Sequence, residues 1–300
     1  MVLFRRLAVL TAVFAYLQIA LGGVVRVSGS GLGCPDWPLC NGRPYPPANL
    51  HAIIEYSHRA VGSVTGVLII ATVILAWVVW RSRRPLVAWL ATASLIGVVG
   101  EGLLGAGVVV NELASWLVLI HLGLAMIILG FLVATAVMAM PPSNGVADPS
   151  LRRLAAIATG ATYMLLLTGS TVVASGADAA CKSWPLCGAG FTPDFTGTNA
   201  FTMLHRGSVL VIGALLVWFL VRGSRHPGLA PASIATLVIF ALQVAVGAAA
   251  AVSDGALFNG LHVALATLVW AGTLTTALLT LPRADRDAQT SRLAVERGSA

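Results

Sequence analysis

The apolar positions of this chain gather into eight long stretches separated by short polar segments. They fall at about 7–25, 56–80, 86–107, 115–139, 153–173, 202–221, 230–250 and 259–281. Each is about 20 residues, the length of helix that crosses the hydrocarbon core of a bilayer. One such stretch could be a signal peptide, but eight could not. The first follows Arg5 and Arg6, has no clear small-residue cleavage site, and reads as a retained span. The pattern predicts an all-α polytopic membrane protein with eight transmembrane helices.

Composition supports this and removes the alternatives. The 300 residues are 58% hydrophobic and 10% charged, whereas a soluble domain carries about 25% charged residues. The net charge of +7 invites a nucleic-acid reading, which its placement rejects. Basic residues cluster between spans: Arg81, Arg83 and Arg84; Arg152 and Arg153; Arg222 and Arg225; Arg283 and Arg286. With the N-terminus inside, the cytoplasmic segments hold 13 of the 18 Lys and Arg residues, leaving Arg26, Arg43, Arg59, Lys182 and Arg206 outside. That is the positive-inside pattern. It predicts a cell-membrane protein with both termini cytoplasmic, a lipid bilayer as its surroundings, and no nucleic-acid partner.

The chain also repeats itself. Ser28-Gly29, Cys34, Trp37-Pro38-Leu39-Cys40 and His58-Arg59 recur as Ser175-Gly176, Cys181, Trp184-Pro185-Leu186-Cys187 and His205-Arg206, every pair 147 residues apart. Four spans per half is an even number, so the halves point the same way, a parallel repeat about an axis near the membrane normal. The expected organisation is two tandem four-helix bundles. Residues 1–140 form the first half, 141–153 a cytoplasmic Pro- and Gly-containing linker, 154–282 the second half, and 283–300 a polar, mobile tail.

Histidine is costly inside a membrane and usually marks function. His226, beside Arg225, reads as a polar loop residue, and His51 as a solvated residue of the first outer loop. The other four form a pattern: His58, His121, His205 and His262 place one histidine on the second and one on the fourth span of each half, all toward the outer side. Two imidazoles from facing helices are what a six-coordinate haem iron needs. Zinc and copper sites usually gather three or four ligands closely, and no third ligand recurs in both halves. Arg59 and Arg206 follow the first histidine of each half. Either pairs with haem propionates or snorkels to lipid headgroups.

The halves differ at Glu55, three residues before His58, where the register-matched residue is Thr202. A carboxylate in one half only points to different jobs for the two sites. Its roles are an acid/base near the first site or a helix-start glutamate facing water. Glu101, inside the third span, has Gln243 as its rough counterpart, each before a Gly-rich run. It is either protonated and hydrogen-bonded to another helix or part of a proton path. The outer cysteines pair as Cys34 with Cys40 and Cys181 with Cys187, either as structural staples or as redox-active pairs. A CxxC haem-attachment motif is absent, which argues against covalent c-type haem.

Together, Glu55-Tyr56-Ser57-His58-Arg59, the four span histidines, the Cys34/Cys40 outer loop and the tandem halves resemble the haem A synthase family over about residues 5–282. The resemblance implies an oxidoreductase that converts the C8 methyl of haem O to a formyl group, giving haem A for cytochrome c oxidase, by hydroxylations followed by loss of water. It implies that His205 and His262 ligate a resident haem b. His58 and His121, with Arg59, line the substrate-haem site, and Glu55 acts beside it. It also implies a haem O synthase as neighbour and an electron acceptor, with the oligomeric state left open. Two other classes compete. A diheme b-type, quinol-linked electron carrier needs no substrate site. A solute transporter should carry its polar groups at the midplane rather than toward one end.

Overall fold

The computed structural model describes residues 1–187, 192–253 and 255–284. Nine helices cover most of these residues: α1 (Val2–Val27), α2 (Leu50–Trp80), α3 (Pro85–Val110), α4 (Ser115–Met138), α5 (Pro149–Ala174), the short α6 (Ala177–Ala180), α7 (Asn199–Ser224), α8 (Ala230–Val252) and α9 (Ala256–Leu279). All but α6 are long and apolar enough to cross a membrane, so the chain is a multi-pass, all-helical membrane protein. Helices satisfy every backbone polar group internally, which lipid demands. The tail assigned to 283–300 falls almost wholly outside the described residues.

Local chemistry sets where the helices begin. Pro85 and Pro149 stand at the starts of α3 and α5, where a missing N–H costs nothing. The Asp148 carboxylate accepts from the Ser150 N–H at 2.8 Å. The Asn49 side chain accepts from the N–H groups of His51 and Ala52, so α2 starts at Leu50 rather than near residue 56. The apolar run placed the start too late because His51 and Glu55 interrupt the apolar residues of the first two turns, Leu50, Ala52, Ile53 and Ile54. His51 is therefore in the first turn of α2 and not in a loop, with Nδ1 3.0 Å from the hydroxyl of fully buried Ser30.

Helices α1 to α4 pack as a ring in which each touches its neighbours in sequence and α4 closes back on α1. Helices α5, α7, α8 and α9 pack in the same order, α9 closing on α5. In each ring the second and fourth long helices stand diagonally across from one another. The rings meet along α1 and α4 on one side and α5 and α9 on the other. There the Trp270 indole donates to the Met126 carbonyl at 3.0 Å and the Tyr163 hydroxyl to that of Gly123 at 3.1 Å. The Tyr163 and Trp270 rings lie 5.5 Å apart. Gly123 and Gly130 sit against Tyr163 and Trp270 respectively, the close approach that small residues allow in membranes. At the linker end, Arg84 donates to the carbonyls of Met138 and Met140 and stacks on Trp80. The backbones of Ser143 and Arg283 pair with each other, fastening the linker to the end of α9.

Candidate functional site

The site is built at the opposite end, under the two cysteine loops. Both cysteine pairs are disulfides, Cys34–Cys40 and Cys181–Cys187, and Cys34 and Cys40 are fully buried. The first loop is tied to α2 by two side chains. Glu55, 4% exposed, accepts from the Cys34 N–H through Oε2 at 2.8 Å and holds Arg59 through Oε1. Arg59 donates to the carbonyls of Cys34, Asp36 and Leu39 at 2.6–2.8 Å. The N–H groups of Gly42 and Asn41 close the tip of the loop on the Asp36 carboxylate, and hydrogen bonding from Gly42 above all holds that carboxyl below its ordinary range.

The second loop is tied at the same two positions with weaker chemistry. The Thr202 hydroxyl donates to the Ala177 carbonyl at 3.5 Å, and Arg206 donates to the Pro185 carbonyl at 2.9 Å. The asymmetry between Glu55 and Thr202 is thus first an asymmetry of loop anchoring. Glu55 is buried and engaged at both oxygens; it does not face water.

Below the loops lie the four histidines. Each sits six to eight residues into its helix, ~9–12 Å along the axis at 1.5 Å per residue, so all four share one depth. His58 on α2 and His121 on α4 stand on diagonal helices of the first ring, within electrostatic reach of each other; His205 on α7 and His262 on α9 do the same in the second.

Each ring rests on a glycine of the neighbouring helix. A β-carbon at Gly22 would stand 3.1 Å from His58 Cε1, and one at Gly105 3.2 Å from His121 Cε1. The same atom at Gly169 would stand 3.1 Å from His205 Cε1, and at Gly247 2.6 Å from His262 Cε1. Each ring also meets a polar side chain from that helix. Gln18 Nε2 is 3.3 Å from His58 Nε2, and Glu101 Oε1 is 3.0 Å from His121 Nδ1. Thr168 Oγ1 is 3.0 Å from His205 Nδ1, and Gln243 Nε2 is 3.0 Å from His262 Nδ1.

These contacts were not foreseen from sequence, although three of them carry a signal there. A polar residue stands four positions before the glycine in Gln18–Gly22, Glu101–Gly105 and Gln243–Gly247. That spacing puts both on one helix face. The fourth seat uses the adjacent Thr168 and Gly169 instead. Of the remaining sequence expectations, His226 lies in the turn between α7 and α8 at the linker end, far in sequence and topology from this site.

The donor set fits haem. Among the described residues no group of three or more His, Cys, Asp or Glu side chains gathers as a metal-ion site, and all four cysteines are in disulfides. What the two rings offer instead is paired imidazoles across a bundle, the arrangement that axial haem ligation uses. Several buried polar atoms around the first pair have no partner among the described residues: Gln18 Oε1, His58 Nδ1 and Glu101 Oε2. Gln243 Oε1 is in the same condition beside the second pair. Buried polar groups are rarely left without a hydrogen bond, so unpartnered atoms converging on both histidine pairs mark places where something beyond the polypeptide belongs.

Comparison with known proteins bears on this geometry directly. The model of the COX15-CtaA family, whose description is cytochrome oxidase assembly protein, matches residues 5–274. A heme A synthase of Alkalihalophilus pseudofirmus is 30% identical over 270 residues, 86% of this chain and 90% of its own. That of Halalkalibacterium halodurans is 29% identical over 287 residues, 91% of this chain and 95% of its own. That of Shouchella clausii is 30% identical over 222 residues, 71% of this chain and 73% of its own. With the match running through all eight membrane helices, the chain belongs to the COX15-CtaA family of cytochrome oxidase assembly proteins.

Proposed function

We propose that this protein is a haem A synthase, an oxidoreductase that converts the C8 methyl of haem O to a formyl group. The observation that carries the proposal is the pair of opposed histidines in each ring, every one of them seated on a glycine. The names of its relatives supply the reaction. The two halves, residues 1–140 and 154–282 joined by the 141–153 linker, divide the work.

In the second half His205 and His262 hold a resident haem b, their rings fixed by Thr168 and Gln243. A haem b there would supply a one-electron relay between the first half and the electron acceptor. In the first half His58 and His121 receive haem O. Glu55 and Arg59 hold the disulfide loop against α2 beside His58, restricting water at that end of the site. Glu55 also places a negative charge there, able to stabilise positive charge at the oxidised carbon or to take up a proton. Arg59 and Arg206 supply positive charge at the loop end of each half, where haem carboxylates fit by charge.

The cysteine loops face the outside of the cell membrane and both termini face the cytoplasm, by the distribution of arginines. Haem O synthase is the neighbour that supplies the substrate, and an electron acceptor takes electrons from the second half. A diheme carrier would also use two seated histidine pairs. The replacements Glu55 to Thr202 and Glu101 to Gln243 favour the enzyme, because a carrier has no need of carboxylates in one half alone.

The division of labour is testable. His58→Ala and His121→Ala are expected to keep the resident haem b at wild-type stoichiometry and to produce no haem A when haem O is supplied. Measuring haem content by extraction and chromatography checks both. Production of haem A by either variant would contradict the assignment of the first half.

A further inference from the structure

Three of the four histidine seats use a neutral partner, Gln18, Thr168 or Gln243; one uses a carboxylate. Glu101 Oε1 lies 3.0 Å from His121 Nδ1, and the two side chains are 15% and 27% exposed. Its counterpart Gln243 meets His262 at the same distance. Both stand four residues before the glycine that backs the same ring, Gly105 or Gly247. The reach to Nδ1 and the backing glycine are alike in the two halves, although Gln243 Nε2 also lies 3.4 Å from His262 Nε2; the main difference between the seats is chemical.

An amide can present either its oxygen or its NH2 to a ring nitrogen, so Gln243 accommodates either tautomer of His262. A carboxylate that is ionised only accepts, and at 3.0 Å from His121 Nδ1 it would keep the ring proton on Nδ1 and leave Nε2 free as a ligand. A carboxylate on the far nitrogen of a ligating histidine also raises that ligand's basicity. A more basic ligand favours the oxidised state of an iron bound to it.

We infer that Glu101 is a positioning residue of the first-half site: it holds His121 with Nε2 presented to the haem and makes that haem harder to reduce than the amide seat of His262 would. The inference rests on the reading of His121 as a haem ligand. It gives Glu101, which the loop chemistry of Glu55 does not involve, a defined place. It also gives the two halves a built-in difference in potential, set by one oxygen-for-nitrogen exchange.

The test is a redox titration of the purified full-length protein carrying both haems, made with haem O supplied and followed by absorbance. Wild type is expected to show two components. In Glu101→Gln the first-half component should shift to higher potential while the other stays in place. In Gln243→Glu the other component should shift to lower potential. Electron paramagnetic resonance of the oxidised protein should show the g-values of one haem changing in each variant. An amide already serves the His262 seat, so Glu101→Gln is expected to retain both haems.

Unmoved potentials in Glu101→Gln overturn the inference, and so does loss of the first-half haem in that variant, which would make Glu101 a structural residue. Either result leaves haem A synthesis by the wild-type protein standing. A wild-type protein that takes up only one haem under the same conditions would instead remove the two-site reading on which the inference rests.

Discussion

His205→Ala and His262→Ala are each expected to give protein that inserts in the membrane and purifies, but without its resident haem b. On the proposed assignment, each substitution removes one of the two histidines that would hold the haem and leaves the other without a counterpart across the bundle. Loss of an outer-shell partner of a metal ligand typically costs 10–100-fold in affinity, and loss of the ligand itself costs more, so affinity for the haem should fall by at least about 100-fold and the purified variants should carry little haem b. The fold should survive. Neither histidine belongs to the two large buried clusters, one built around Phe4, Trp80, Met126 and Leu129, the other around Leu151, Leu216, Phe219 and Leu220. Their rings pack on glycines near the loop end, whereas these clusters take in the linker-end residues Trp80, Met138 and Leu229. Pyridine haemochrome spectra of the purified variants measure the loss. Full haem b content in both would mean that the second ring does not hold the resident haem.

Glu55→Gln is expected to do the converse, keeping haem and losing product. Glutamine preserves the length of the side chain and an acceptor for the Cys34 N–H, so the disulfide loop should remain seated. What disappears is the negative charge and the ion pair with Arg59. An acid/base or charge-stabilising group typically contributes 10²–10⁴-fold to a reaction, so haem A formation should drop by about 100-fold or more at unchanged haem b. Haem A at the wild-type level in Glu55→Gln would confine Glu55 to anchoring the loop.

Much of the architecture was readable from the chain because a bilayer imposes simple constraints. The eight apolar runs became eight membrane-length helices, since only such runs can sit in lipid with their backbones satisfied. Element ends were less readable. The start of α2 depends on one side chain, Asn49, capping its first turn, and hydropathy carries no record of that bond. His51 was misplaced for the same reason.

The site was readable as a list of residues and opaque as a set of contacts. The 147-residue repeat singled out His58, His205 and the cysteine pairs by position alone. It could not show that Glu55 and Arg59 spend their polar groups on the loop backbone, because backbone carbonyls leave no trace in a sequence pattern. The partners of the histidines were hidden differently. Three of the seats leave a polar residue four positions before a glycine, but which histidine each meets follows only from the packing of α1 on α2, α3 on α4, α5 on α7 and α8 on α9.

The central claim is that one half of this protein oxidises a haem that the other half only serves. It is tested most directly by extracting and chromatographing the haem of the purified protein, expressed with and without a haem O synthase. The account predicts haem b alone without the synthase. With the synthase it predicts haem b together with haem A or its hydroxylated precursor. Haem b alone in both cases, near two per chain, would contradict it and make the protein a diheme electron carrier.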